Sequence, residues 1–152
     1  MIKVVCVGKI KEKFYSDAML EYLKRLQSFT KIEIKEVSEV NSDSIDKTLL
    51  KEGKNILSQI KDDEFVITLE IEGELLSSPS LAKLVEDKLT RGASTITFVI
   101  GGSNGLSDEV KNRSNYHLSF GKITLPHQLA RVVLVEQIYR AFTIINNHKY
   151  HK

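Results

Sequence analysis

Four short runs rich in Val, Ile and Phe recur along the chain, at residues 2–7, 32–37, 65–71 and 95–100, and segments of helical spacing fill the intervals. Apolar-rich runs of this length, alternating with period-3.6 segments, predict strands joined by helices and hence an α/β domain with a mostly parallel sheet. The first helix is expected over residues 16–29, where Met19, Tyr22, Leu23, Leu26 and Phe29 form one apolar stripe that can lie on the sheet. A second, over residues 44–61, follows the cap-rich Asn41-Ser42-Asp43-Ser44 and carries Ile45, Leu49, Ile56, Leu57 and Ile60. A third begins at Ser78-Pro79, where proline suits the first helical turn, and stops near Gly92.

The last helical pattern, residues 126–146, differs in kind. Residues 129–135 read LARVVLV, so nearly the whole circumference is apolar and Arg131 is the one polar side chain. A helix at a surface needs apolar cover along a single stripe, so this one is expected to be covered on two sides, by its own sheet and by a subunit partner. A guanidinium in such a stretch must find a carboxylate, a phosphate or a backbone carbonyl, which points to a functional or interface role for Arg131. His127 and Arg131 share a face, as do Glu136 and Arg140, although the latter two also fit a plain surface ion pair. Behind the helix comes NHKYHK, whose Tyr150, His151 and Lys152 carry acid-base or hydrogen-bonding groups. A polar tail anchored by an apolar helix suggests a site, since unanchored chain ends fray.

The chain has 152 residues, 41% of them hydrophobic, and no Pro/Gly/Ser-rich linker, repeat or charge block, so one domain over residues 1–152 is expected. The lone Cys6 lies inside a strand run and cannot close an internal disulfide, which fits a reducing cytosol. No run approaches 18 apolar residues and the N-terminal one is too short for a signal sequence, so a cytoplasmic protein with no membrane partner is expected. The net charge of +2 conceals an asymmetry. Residues 1–100 hold 15 Lys/Arg against 17 Asp/Glu, whereas residues 101–152 hold 7 against 3 and all four histidines. That second stretch is the better place to meet an anionic partner, although a chance asymmetry on a solvated surface reads the same way.

The runs at 65–71 and 95–100 end in IEGE and GGSNG. Ligands of open α/β sheets gather outside the carboxyl ends of strands, so Leu69, Glu70, Gly73, Gly101 and Gly102 are placed nearest a common pocket. The GGSNG turn lacks both the G-x-G-x-x-G fingerprint and the Gly-Lys-Ser/Thr of a phosphate loop; by itself it reads as a tight turn, and an adenosine ligand without phosphates would suit it better than a dinucleotide. The histidines show no metal-ligand spacing, so no metal is assigned, and no nucleophile elbow points to a hydrolase.

Three segments, IGGSNGL, SFGKITLPHQLARVVLVEQIYRAF and the ending NHKYHK, together with the strand-turn VVCVGKIKEKFY, resemble the bacterial ribosomal RNA large-subunit methyltransferase H family over essentially the whole chain. The resemblance implies a SPOUT-class, trefoil-knotted α/β domain and an obligate homodimer. It implies transfer of a methyl group from S-adenosylmethionine to N3 of a pseudouridine in large-subunit ribosomal RNA, with no DNA partner; for such an enzyme the modest net charge of +2 points to recognition of an assembled ribosomal surface. The knot cannot be reached from the pattern, because chains as a rule do not thread themselves. Carried over by motif, the cofactor site comprises Leu69, Gly101 and the loop Phe120, Gly121, Lys122, Ile123, Thr124 and Leu125. At Gly121 this chain departs from the serine or alanine of relatives, and glycine is expected to loosen the loop while keeping a backbone contact.

The implied reaction needs a base for the imide proton and in-line alignment of the nitrogen. The candidate catalytic set is His127, Arg131, Glu136, Tyr150, His151 and Lys152, with His127 and His151 as candidate bases, Glu136 as an alternative, Tyr150 against the target base, and Lys152 or arginine on phosphate. The resemblance also implies a site shared between subunits. Two readings from other classes remain beside the enzyme: a non-catalytic RNA-binding dimer, which predicts salt-sensitive RNA affinity without cofactor binding, and a dimeric adaptor that recruits a protein through the terminal helix.

Overall fold

Residues 1–152 are described by a computed structural model with five strands and five helices: β1 (Ile2–Val7), α1 (Lys13–Leu26), β2 (Ile32–Val37), α2 (Ile45–Leu57), β3 (Phe65–Leu75), α3 (Ser78–Thr90), β4 (Ile96–Ile100), α4 (Asp108–Arg113), β5 (Tyr116–Ser119) and α5 (His127–Ile145). All strand pairs are parallel, in the order β2-β1-β4-β3-β5. The expected α/β class and parallel sheet are therefore found.

Both faces of the sheet are covered, which is why the central strands β1 and β4 read as apolar runs with Lys3 and Thr97 as the polar exceptions. On β1, Ile2, Val4 and Cys6 join the larger core with Ile67 of β3, Phe98 of β4, Met19 and Leu26 of α1, Leu81 and Val85 of α3, and Leu134, Ile138 and Phe142 of α5. The alternate residues Val5 and Val7 face the smaller core, with Val99, Ile56 of α2 and Val110 of α4. Helix α5 thus lies with α1 and α3 in one layer, and α2 with α4 in the other. No helix is long and apolar enough to cross a membrane.

The structure moves several expected boundaries. Helix α1 starts at Lys13, three residues early, and no side chain caps it; Phe29 falls beyond its end yet packs on Tyr139, Phe142 and His148. Helix α2 is capped by Ser44, whose hydroxyl accepts from the Lys47 N–H, and stops at Leu57 instead of residue 61. Strand β3 runs on to Leu75, with a bulge between Leu69 and Glu74 in its pairing with β5. The short elements α4 and β5 have no counterpart in the sequence pattern as read.

At the amino ends of the strands a closed polar network ties the elements together. Lys3 and Glu64, both nearly fully buried, form an ion pair. Lys3 Nζ also donates to the Gln59 carbonyl at 2.7 Å, and Thr97 Oγ1 donates to Glu64 at 3.2 Å. Arg113 closes this end by donating to the carbonyls of Lys61 and Glu64 at 2.9 and 3.0 Å.

Candidate functional site

The carboxyl ends of the strands open onto a cavity of about 420 Å³. Its wall is made by Leu69, Glu70 and Ile71 of β3, Ile100 at the end of β4, the turn at 101–105, the loop after β5, and His127 and Ala130 of α5. The turn is built for a close approach. A Cβ on Gly101 would lie 2.4 Å from the Gly105 carbonyl oxygen, so no other residue can stand there without moving backbone. The loop from Phe120 to Leu125 then crosses from the sheet edge back toward α5. Of the eight expected cofactor-binding residues, seven line the cavity: Leu69, Gly101, Phe120, Gly121, Ile123, Thr124 and Leu125. Lys122 is exposed and does not line it. The wall is mostly apolar side chain and glycine backbone, with few polar groups. That is the surface an uncharged adenosine needs, and it offers no phosphate cradle.

Of the six expected catalytic residues the cavity holds one, His127. Arg131 is 1% exposed and turned to the structure of its own chain. It bonds Glu36 at 2.7 Å and donates to the carbonyls of Gly8 at 3.1 Å and Val7 at 3.4 Å, so it staples the start of α5 to the ends of β1 and β2. The carboxylate and carbonyls that the sequence demanded for it are these.

Glu136, Tyr150 and His151 meet in a second cluster. Arg140 donates to both Glu136 oxygens, at 3.2 and 3.0 Å, and to His151 Nδ1 at 3.1 Å. The Tyr150 hydroxyl donates to Glu136 at 3.2 Å, its ring meets that of Tyr139 edge-on, and the Arg140 guanidinium lies 4.7 Å over it. Burial and the Glu136 charge push the Tyr150 hydroxyl up to about 12, so it stays protonated across the physiological range. Arginine only donates, so His151 Nδ1 accepts and the neutral ring carries its proton on Nε2. The tail is therefore anchored, while Lys152 at its end is exposed. Glu136 follows His127 by nine residues, which sets the tail cluster about 13 Å farther along the helix axis. Within one chain the cavity and the tail are separate sites.

A third feature stands at the lip of the cavity. Glu70 Oε2 accepts from the Thr68 hydroxyl at 2.6 Å and from His117 Nδ1, which lies close against it. Ser114 Oγ stands 2.8 Å from the same threonine hydroxyl. No group of three or more His, Cys, Asp or Glu converges as a metal site would require.

Comparison with known proteins agrees with this geometry. A family model described as predicted SPOUT methyltransferase matches residues 1–151. The chain belongs to the SPOUT methyltransferase family. It is 53% identical, over 99% of its own length and 98% of the relative's, to the ribosomal RNA large subunit methyltransferase H of Oenococcus oeni (strain ATCC BAA-331 / PSU-1). Its fold is similar to that of a probable methylase family protein from Haemophilus influenzae Rd KW20, with a TM-score of 0.54 and 19% identity over 99% of this chain and 70% of the other.

For a SPOUT methyltransferase the sequence located the cavity floor and missed part of its wall. Ile71, Ile100, Pro126 and Ala130 were not singled out, nor was His117 behind Glu70. The first two sit at the ends of the runs already identified as strands and follow from the same rule. Gly121 takes φ +111°, a conformation that side-chain-bearing residues rarely adopt, so glycine here fits the loop it was expected to loosen.

Proposed function

We propose that this SPOUT methyltransferase methylates N3 of a pseudouridine in large-subunit ribosomal RNA, on assembled ribosomes, using S-adenosylmethionine, and works as a trefoil-knotted homodimer in the cytoplasm. The observation that carries the proposal is the near coincidence of the cavity wall with the motif residues Leu69, Gly101 and 120–125. The relative's name adds the ribosomal RNA substrate. The knot is what the family resemblance adds; the segment leading from β5 to α5 lines one cavity with the β3 end and the 101–105 turn, which accords with it.

The dimer is supported by apolar surface left open near the cavity. Ile123 is 80% and Leu75 71% exposed, and Val133 of α5 lines a groove with Leu75, Leu118 and Phe120. A second copy seated there covers these groups and brings its tail to the cavity that its own α5 cannot serve.

When bound, S-adenosylmethionine supplies an activated methyl group to the incoming nitrogen. The glycine turn and the 120–125 loop hold the adenosine by backbone and apolar contact, and they exclude water from it. His127, at the cavity wall, takes the N3 proton of the base. From the partner, His151 presents Nε2–H to a carbonyl of that base, Tyr150 lies against its ring, and Lys152 meets phosphate. Glu136 is already engaged by Arg140 and Tyr150, so it holds the tail in place; Arg131 fixes the start of α5 and with it His127. Mass spectrometry of ribosomal RNA from cells with and without the gene tests the reading, the expected result being loss of one methyl from one pseudouridine. An unchanged spectrum, together with no calorimetric binding of S-adenosylmethionine by the folded dimer, overturns it in favour of a non-catalytic RNA-binding dimer.

A further inference from the structure

Beyond methyl transfer itself, the cavity wall holds one charge that neither the backbone contacts nor the proton transfer uses. Glu70 is the sole carboxylate among the sixteen lining residues and, apart from His127, the sole ionisable side chain. It is held firmly: Thr68 and His117 both bond Oε2, its side chain is 15% exposed, and Oε1 bonds to no other group of the chain. No lysine or arginine pairs with it, and Glu72 and Glu74, which line a second pocket with it, add negative charge. Glu70 thus stands between the mostly apolar cavity and the neighbouring polar pocket that holds His117.

Such a charge acts on the net charge of whatever enters, whichever part of the ligand it touches, because attraction across a weakly polar cavity falls off slowly with distance. S-adenosylmethionine and its demethylated product differ by one methyl and one positive charge at sulfur. Resting on the cofactor assignment above, we propose that Glu70 is a specificity-determining residue that makes the cavity prefer the cationic donor to its uncharged-sulfur product. Thr68 and His117 act as its positioning residues. Methyl transfer then removes the charge that held the ligand, and the product leaves.

Calorimetry at pH 8 with S-adenosylmethionine, S-adenosylhomocysteine and 5′-methylthioadenosine tests this on wild type, Glu70→Gln and Glu70→Asp. The glutamine variant preserves size and can accept the Thr68 and His117 bonds. It is expected to lower donor affinity about tenfold, as one partly screened charge pair would, while the other two ligands stay within about twofold. Glu70→Asp keeps the charge and should keep the preference; His117→Ala, which frees the carboxylate to swing away, should give an intermediate loss. A loss shared equally by the product, or no loss, overturns the proposal and leaves the cofactor assignment standing. Failure of folded wild type to bind any of the three overturns both.

Discussion

The two ends of the sheet are built on opposite terms. At the amino ends, Lys3, Glu64, Thr97, Gln59 and Arg113 satisfy one another, and the pocket beside them is lined almost wholly by polar side chains. At the carboxyl ends the chain uses glycine turns, a carboxylate with a free oxygen and apolar side chains facing outward, Ile123 and Leu75 foremost. A group left open lowers the stability of the isolated chain, so its retention marks where a ligand or a second copy completes the structure. The difference assigns stability to one end and chemistry to the other.

The strongest test of that division removes chemistry at a small expense of stability. Deleting residues 150–152 should lower methyl transfer by about 10³, the scale of a lost acid-base and positioning group, while S-adenosylmethionine affinity hardly moves and the melting temperature falls by only a few degrees with the bonds of Tyr150 and His151 to Glu136 and Arg140. Gly101→Val should do the reverse, abolishing cofactor binding because its side chain collides with the Gly105 carbonyl. Each variant alone should be nearly inactive. If the proposed dimer shares its site between subunits, heterodimers formed by mixing and refolding the two should carry one intact composite site and show about half of wild-type activity. Heterodimers verified by native mass spectrometry that remain inactive would sink the shared-site reading.

How far the sequence carried the fold follows from where each signal lives. Strands β1 and β4 were legible because both faces are buried and all their residues but Lys3 and Thr97 are apolar. Strand β3 was legible only to residue 71, since Glu70, Glu72, Gly73 and Glu74 read as a polar turn although they continue the strand through a bulge. Helix α4 has six residues and β5 four, too few to show a period. The site divides the same way. Residues at strand ends came from a general rule about open sheets, whereas the 120–125 loop has no local signature and entered through resemblance alone. Arg131 was marked as needing an anion, but Glu36 stands 95 positions away and could not be named from the chain.

Breaking the amino end should show the complementary pattern. Lys3→Met leaves Glu64 buried without its cation, which typically costs about 3–5 kcal/mol. For a chain of this length that lowers the melting temperature by roughly 10 °C in calorimetry. Below the transition, cofactor affinity and turnover per folded molecule should equal wild type. A variant that loses cofactor affinity in proportion to stability would show the two ends to be coupled.

At the carboxyl end, Gly121→Ala is expected to do both things weakly. Nothing stands within 4 Å of the added Cβ, so the effect is conformational: alanine at φ +111° is strained by about 1–2 kcal/mol. The melting temperature should fall by a few degrees, and calorimetry should show cofactor affinity reduced several-fold as the loop relaxes away from the cavity.

The smallest expected effect is a slope in pH. Burial pushes the Glu64 carboxyl up, but the Lys3 ammonium, the Lys61 N–H and the Thr97 hydroxyl outweigh it and hold the group below its ordinary value. A carboxyl lowered in the folded state binds its proton more readily when unfolded, so its contribution is complete above the unfolded value, about 4.3, and is lost as pH falls through the folded one. Wild-type melting temperature should therefore decline as pH drops from about 5 to 3. In Lys3→Met the ammonium no longer opposes burial, and this part of the decline should flatten. An identical slope in both proteins would move the acid sensitivity away from the amino-end network and onto the exposed carboxylates elsewhere on the chain.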